Sequence, residues 1–136
     1  MRIMGLDYGK KRIGVAVSDE LGLTAQGVTV INRSDFEKDI EKIKELISEY
    51  EVSEIIVGIP KNMDGSCSDM ALEASDFAER LKENIFLPLK MEDERLTSKA
   101  AERTLLEGDV SRKKRKTVID KVAAVYLLQG YLDRKK

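Results

Sequence analysis

The run at residues 54–59, EIIVGI, limits the fold more than any other stretch of the chain. It has strand length and is almost unbroken in apolar character. A strand that alternates apolar and polar residues can leave one face in water. This run cannot, and such runs belong in the middle of a parallel sheet covered on both faces. The rest of the sequence must therefore supply flanking strands and a helical layer on each side.

Three β-like runs come first, at residues 2–8, 13–18 and 27–32. The connection Gly9-Lys10-Lys11-Arg12 is short enough for a hairpin, so the first two strands pair antiparallel. The third follows a link containing Gly22 and continues the meander. Ser34-Asp35-Phe36-Glu37 has the form of a capping box. Behind it Phe36, Ile40, Ile43, Ile47 and Tyr50 recur at helical spacing, which predicts an amphipathic helix over 34–50. After the central run, the polar loop PKNMDGSCS leads to a second helix with Met70, Ala74, Phe77, Ala78 and Leu81 on one side. Residues 85–91 form another strand, 97–107 a helix that stops at Gly108, and, after a basic link, 118–132 a last helix with a wide apolar face.

The expected order is β-β-β-α-β-α-β-α-α, with no internal repeat and no linker that would split the chain, so residues 1–136 form a single domain. A three-strand antiparallel meander followed by right-handed β-α-β crossovers makes a mixed five-stranded sheet, with two parallel strands and helices on its faces. An α/β fold of the ribonuclease H type has this order, and so does half of an actin-like ATPase.

Composition narrows the chemistry. The chain has no histidine, which removes Ser-His-Asp and Cys-His nucleophiles and every His-ligated metal site. Its single cysteine, Cys67, rules out an intrachain disulfide framework and a multi-Cys zinc site, and suits a reducing, cytoplasmic setting. No apolar run approaches the ~20 residues of a membrane span, and the N-terminus lacks the apolar core and cleavage site of a signal peptide. Catalysis would have to run on carboxylates, lysines, hydroxyls or a hard, oxygen-bound cation.

Three carboxylates stand out. Asp7 lies late in the first strand, where a buried charge is costly unless a cation meets it. Glu94, with Glu92 and Asp93 beside it, follows the last strand. Sites in open α/β sheets gather beyond the carboxyl ends of parallel strands, so Asp7 and Glu94 reach the same edge. Asp120 heads a helical stripe with Ala123, Ala124, Leu127 and Tyr131. Asp19 falls at the far end of the second strand and is excluded. Each acid also has a structural alternative. Asp7 could start a turn near Gly9, Glu94 could belong to a solvated loop, and Asp120 could close a capping box with Thr117. Taken together, three clustered anions repel and call for a neutralising cation. Without histidine or usable thiols, that cation is Mg²⁺ or Mn²⁺.

At these residues the chain resembles a known family. LDYGKKRIGVAVSD, EIIVGIPKNMDGS, EDERLTS and IDKVAAVYLLQGYL look like the successive signature blocks of the YqgF family, also called RuvX. Its members are described as Holliday junction resolvases and as pre-16S rRNA nucleases. The resemblance spans nearly the whole chain and implies a ribonuclease H-like fold and a divalent-metal phosphodiesterase. It carries the family's catalytic, metal-holding acids onto Asp7, Glu94 and Asp120. Two-metal hydrolysis follows as the expected mechanism, with ions about 4 Å apart on either side of the phosphate. Asp7 would bridge them, Glu94 and Asp120 would complete the two sites, and the products would be a 5′-phosphate and a 3′-hydroxyl.

Basic segments flank the acids. Lys10, Lys11 and Arg12 lie in the first hairpin, and Arg112, Lys113, Lys114, Arg115 and Lys116 run directly before Asp120. Contacts to phosphate supply most non-specific nucleic-acid affinity, although charge runs are also common on solvated faces. Arg95 either neutralises a phosphate or pairs with Glu92 or Glu102. The few aromatics form no stacking cluster, so base-specific reading is not expected. The expected partner is structured RNA or branched DNA, with no membrane. Processing of the 5′ end of pre-16S rRNA in ribosome biogenesis is favoured over junction resolution, and a non-catalytic nucleic-acid binding module is the alternative of another class. Monomer and homodimer both stay open; junction cutting would favour a symmetric dimer. LDYGKKRIGVAVSD also resembles the first phosphate loop of actin-like ATPases, but no residues are left for a second lobe.

Overall fold

The computed structural model describes residues 2–59, 69–93 and 112–135, the side chains of 93 and 112–120 excepted. The apolar run lies inside strand β4, Val52–Ile59, with a strand on each side of it. On one side β4 pairs parallel with β1, Arg2–Tyr8, and on the other parallel with β5, Leu89–Asp93. Strand β2, Arg12–Ser18, pairs antiparallel with β1 and with β3, Ala25–Asn32. The sheet order is β3-β2-β1-β4-β5, which is the expected antiparallel meander joined to two parallel strands.

Alternation along the strands splits the core in two. Met4, Leu6 and Tyr8 of β1, Ile13, Val15 and Val17 of β2, and Ile55, Val57 and Ile59 of β4 pack against helices α1, Phe36–Tyr50, and α2, Asp69–Asn84. Ile3, Ala16 and Ile56 point the other way and meet Ala124, Leu127, Leu128, Tyr131 and Leu132 of helix α3, Arg112–Lys135. Fully burying each large aliphatic chain contributes about 1.5–3 kcal/mol, so both helical layers are held by the same continuous strands. Among the described residues no helix is long and apolar enough to cross a membrane.

Element ends differ from expectation in four places, each for a local reason. The N-cap of α1 is Asp35, whose side chain accepts from the Lys38 N–H at 2.9 Å, and not Ser34. Ser34 instead donates both its N–H, at 3.0 Å, and its hydroxyl, at 3.4 Å, to Oδ1 of buried Asp39, so that hydroxyl is engaged away from the helix N–H groups and Asp35 caps them. Strand β5 starts at Leu89 and not at residue 85. Ile85 is buried beneath α2, and Pro88, which has no N–H to donate, precedes the strand. Strand β3 begins at Ala25, two residues early, where its N–H donates to the Gln129 side chain of α3 at 2.9 Å.

The largest difference is α3, which begins at Arg112, so the basic run expected as a link is its first turns. Lysine and arginine are strong helix formers, and like-charge repulsion at i,i+4 removes only a few tenths of a kcal/mol per pair. The expected helix at 97–107 and the loop at 60–68 lie outside the described residues.

Candidate functional site

Asp7 is the next-to-last residue of β1 and only 8% exposed. Ile3 packs on α3, so alternation puts Gly5 and Asp7 on the α3 side as well. The register sets Asp7 opposite Gly14 of β2 and Gly58 of β4. The same row continues to Val30 on β3 and Glu92 on β5. On this face, then, neither strand beside Asp7 presents a side chain at its level. With strands about 4.8 Å apart, the carboxylate stands in a lane about 10 Å wide between the backbones of β2 and β4. The hairpin turn begins later, at Gly9, whose N–H donates to Arg12 O at 2.9 Å. Asp7 belongs to the paired strand and not to the first position of that turn.

Helix α3 runs antiparallel to β1 over this face. Leu132 lies near Ile3, and Leu128 lies over Gly5, where an added Cβ would come within 3.0 Å of the Leu128 Cβ. Four helical residues rise about 6 Å and two strand residues about 6.6 Å. The stripe Leu132, Leu128, Ala124 therefore keeps step with Ile3, Gly5, Asp7. One more turn brings the backbone to Asp120, just beyond the level of Asp7. Because α3 starts at Arg112, residue 120 lies in its third turn, and the capping-box alternative for Asp120 is removed. The basic residues Arg112, Lys113, Lys114, Arg115 and Lys116 occupy the turns before it.

Glu94 and Arg95 lie outside the described residues. Strand β5 runs parallel to β1 and ends at Asp93, at the same sheet edge as Asp7. Glu92, in the row of Asp7, accepts a 2.6 Å hydrogen bond from Arg134 Nη2 and so ties β5 to α3. Asp19 sits at the opposite edge, where its Oδ1 accepts from Leu23 N at 2.7 Å and Thr24 N at 3.3 Å. Those backbone donors, Leu23 first, hold its carboxyl below the usual range and give it a loop-organising role.

Lys10 and Lys11 are exposed and Arg12 half-buried in the β1–β2 hairpin. Turn residues three and four positions beyond Asp7 lie on the order of 10 Å from it along the strand. Among the described residues no three His, Cys, Asp or Glu side chains converge as a metal site. Of the three expected ligands, Asp7 alone has a described side chain. What is present fits a hard cation: a buried oxygen donor, clearance on both flanks from glycine, and no nitrogen or multi-thiol competitor.

Arg33 was not expected to matter at this edge, and Glu92 only as a neighbour of Glu94 or a partner for Arg95. Arg33 Nη1 donates to Gly9 O at 3.1 Å and Lys10 O at 2.7 Å, and its peptide N–H donates to Lys11 O at 2.9 Å. Its guanidinium also lies over the Tyr8 ring, 4.5 Å from the centroid. Burial pushes the Tyr8 hydroxyl above its ordinary pKa, against the pull of Arg33 and with help from Glu73, Asp39 and Asp76. A single arginine after a strand carries no periodic signal, so only the folded hairpin reveals it.

Comparison with known proteins places the chain among close relatives. The family model described as "RuvX: Holliday junction resolvase" matches residues 1–134. A protein of Natranaerobius thermophilus named "Putative pre-16S rRNA nuclease" is 61% identical over 134 residues, covering 98% of this chain and 95% of that protein. One of Halothermothrix orenii with the same name is 62% identical over 133 residues, with 98% and 95% covered. Among solved structures, RuvC of T. thermophilus in complex with a Holliday junction substrate superposes with a TM-score of 0.56 at 15% identity, covering 99% of this chain and 96% of that one. The fowlpox virus Holliday junction resolvase gives a TM-score of 0.58 at 15% identity, with 100% of both chains covered. At that identity the likeness is one of fold, and it is the ribonuclease H-like fold expected from the element order.

Proposed function

Because the chain belongs to the RuvX family, we propose that it is a divalent-metal-dependent nuclease that hydrolyses phosphodiester bonds as a single cytoplasmic domain spanning residues 1–136. The observation that carries the reading is Asp7, a buried carboxylate set between Gly14 and Gly58 on the face that α3 covers. Asp7, Glu94 and Asp120 would hold Mg²⁺ or Mn²⁺ for two-metal-ion hydrolysis. When bound, the ions supply a water acidified toward neutral pH and a counter-charge for the leaving 3′ oxygen.

The chain's own residues do the rest. Asp7, fixed in a strand paired on both sides, gives the site its rigid donor. The glycine lane keeps β2 and β4 from placing a Cβ beside the carboxylate. Lys10, Lys11, Arg12, Arg95 and the run Arg112–Lys116 hold the phosphates on either side of the scissile bond, as backbone contacts that carry no sequence information.

The substrate is the 5′ end of pre-16S rRNA, a reading supported by the names of relatives that share three-fifths of the sequence. The second reading, resolution of branched DNA, is supported by the description of the family model. Cleavage of matched precursor rRNA, four-way junction and linear DNA by wild type and Asp7→Asn tests both. The expected result is Mg²⁺-dependent cutting of the rRNA by wild type and none by the variant, with unchanged circular dichroism. Preferential cutting of the junction would favour the second reading. Binding without cutting in Mg²⁺ and Mn²⁺ would reduce the protein to a non-catalytic nucleic-acid module.

A further inference from the structure

We infer that Arg33 is a positioning residue for nucleic-acid binding, acting through the basic hairpin. This rests on the reading of Lys10 and Lys11 as phosphate contacts and adds what holds them ready. Three consecutive hairpin carbonyls, those of Gly9, Lys10 and Lys11, accept hydrogen bonds from this one residue. The hairpin has little reason of its own to keep one shape. Its centre is Lys10-Lys11, two like charges with none of the glycine, asparagine or proline that fixes a tight turn. Only Gly9 constrains it from within, since a Cβ there would stand 2.6 Å from Arg12 O.

The shape is imposed from outside by a residue that is itself held. Arg33 directly follows β3 and precedes the N-cap Asp35, and its neighbour Ser34 is fixed by buried Asp39. Its guanidinium is spent on two carbonyls and the face of Tyr8, so its charge serves the hairpin's backbone. Lysine cannot replace it, because the fork of donors and the flat stacking surface belong to the guanidinium. With the backbone pinned, the Cβ atoms of Lys10 and Lys11 keep fixed positions relative to Asp7. A preset contact surface spares the ordering loss that a loose hairpin would suffer on binding.

The test is a double-mutant cycle read by fluorescence anisotropy across a salt series, with a labelled structured RNA and a labelled four-way DNA junction as probes. The variants are Arg33→Lys, Lys10→Ala/Lys11→Ala, their combination, and Gly9→Ala, which disturbs the same turn while keeping Arg33. A salt slope near 0.9 per phosphate makes each lost contact worth about eightfold in affinity at 0.1 M salt. Arg33→Lys and Gly9→Ala should each weaken binding by about that factor or more and flatten the salt slope, with little change in thermal midpoint for Arg33→Lys and a lowered midpoint for Gly9→Ala, whose Cβ meets the Arg12 carbonyl oxygen. In the Lys10→Ala/Lys11→Ala background, Arg33→Lys should change nothing further. An Arg33→Lys effect that persists undiminished in that background, or no effect on the intact hairpin, overturns the positioning role. If wild type binds neither probe, the nucleic-acid reading of the hairpin fails first and the role of Arg33 falls with it.

Discussion

Gly5→Ala probes the contact that sets α3 on the sheet. An added Cβ would lie 3.0 Å from the Leu128 Cβ and 3.5 Å from Ala124 O. Carbon atoms settle about 3.5–4.0 Å apart, so the deficit is about 0.5–1 Å. Strand β1 is bonded to β2 and β4 and cannot recede, so α3 must lift. Forcing an extra methyl into a packed core costs about 1–3 kcal/mol. Replacing glycine by alanine returns about 0.4–1 kcal/mol by restricting the unfolded chain. Taking the middle of each range, the net destabilisation is about 1.3 kcal/mol, which for a chain of this size lowers the melting midpoint by about 4–5 °C. Differential scanning calorimetry reads this directly.

Two controls sharpen the experiment. Leu128→Ala gives no rescue, because alanine keeps the opposing Cβ. At Gly27 an added Cβ would approach Lys121 even more closely, at 2.8 Å from Cε and 2.9 Å from Cγ, yet those atoms belong to an exposed lysine whose whole side chain can turn to another rotamer. Gly27→Ala should therefore stay within about 0.5 kcal/mol of wild type. A neutral Gly5→Ala, or a Gly27→Ala costlier than it, would refute the claim that this backbone approach fixes α3.

The C-terminal half of α3 is anchored by Glu54, which accepts from Tyr131 Oη at 2.7 Å and Lys135 Nζ at 3.3 Å and pairs with Lys90 at 3.6 Å. Tyr131→Phe removes a hydrogen bond to a charged group and should cost about 1.5–3 kcal/mol in a urea titration. Burial pulls the Glu54 carboxyl upward, but the Tyr131 and Lys135 hydrogen bonds and the Lys135 and Lys90 charges outweigh it, so its pKa is lowered. Its contribution is then complete above the unfolded value and lost as pH falls through the folded one. The stability gap between wild type and Glu54→Gln should narrow as pH drops from about 6 to about 3. Glu51 ends α1 in the left-handed region at φ 52° while its N–H donates to Ile47 O and Ser48 O. Glu51→Gly should stabilise the protein by about 1 kcal/mol, measured by the same melt.

Much of this architecture was legible in the sequence. EIIVGI has no polar face to give to water, and that alone demanded a sheet covered on both sides. The short Gly9–Arg12 link demanded a hairpin, and Asp7 was conspicuous because a strand has no ordinary use for a carboxylate. Other features depended on competition that a linear pattern does not display. Thr117 to Asp120 has capping chemistry, yet α3 runs through it because lysine and arginine propagate a helix at little cost. Asp35 took the cap from Ser34 because buried Asp39, five residues on from Ser34, engages the serine hydroxyl. The relation of Gly14 and Gly58 to Asp7 exists only in the register. Arg33 and Glu92 act through partners 22 to 42 positions away in the chain, a separation that no local spacing reveals.

The most direct measurement is calorimetric titration of Mn²⁺ into the full chain and into Asp7→Asn, Glu94→Gln and Asp120→Asn, each shown to be folded. If the three side chains share one cation-holding site, wild type binds Mn²⁺ and each substitution weakens binding by about tenfold or more, as loss of a charged oxygen ligand requires. Undiminished Mn²⁺ affinity in Asp7→Asn would contradict it.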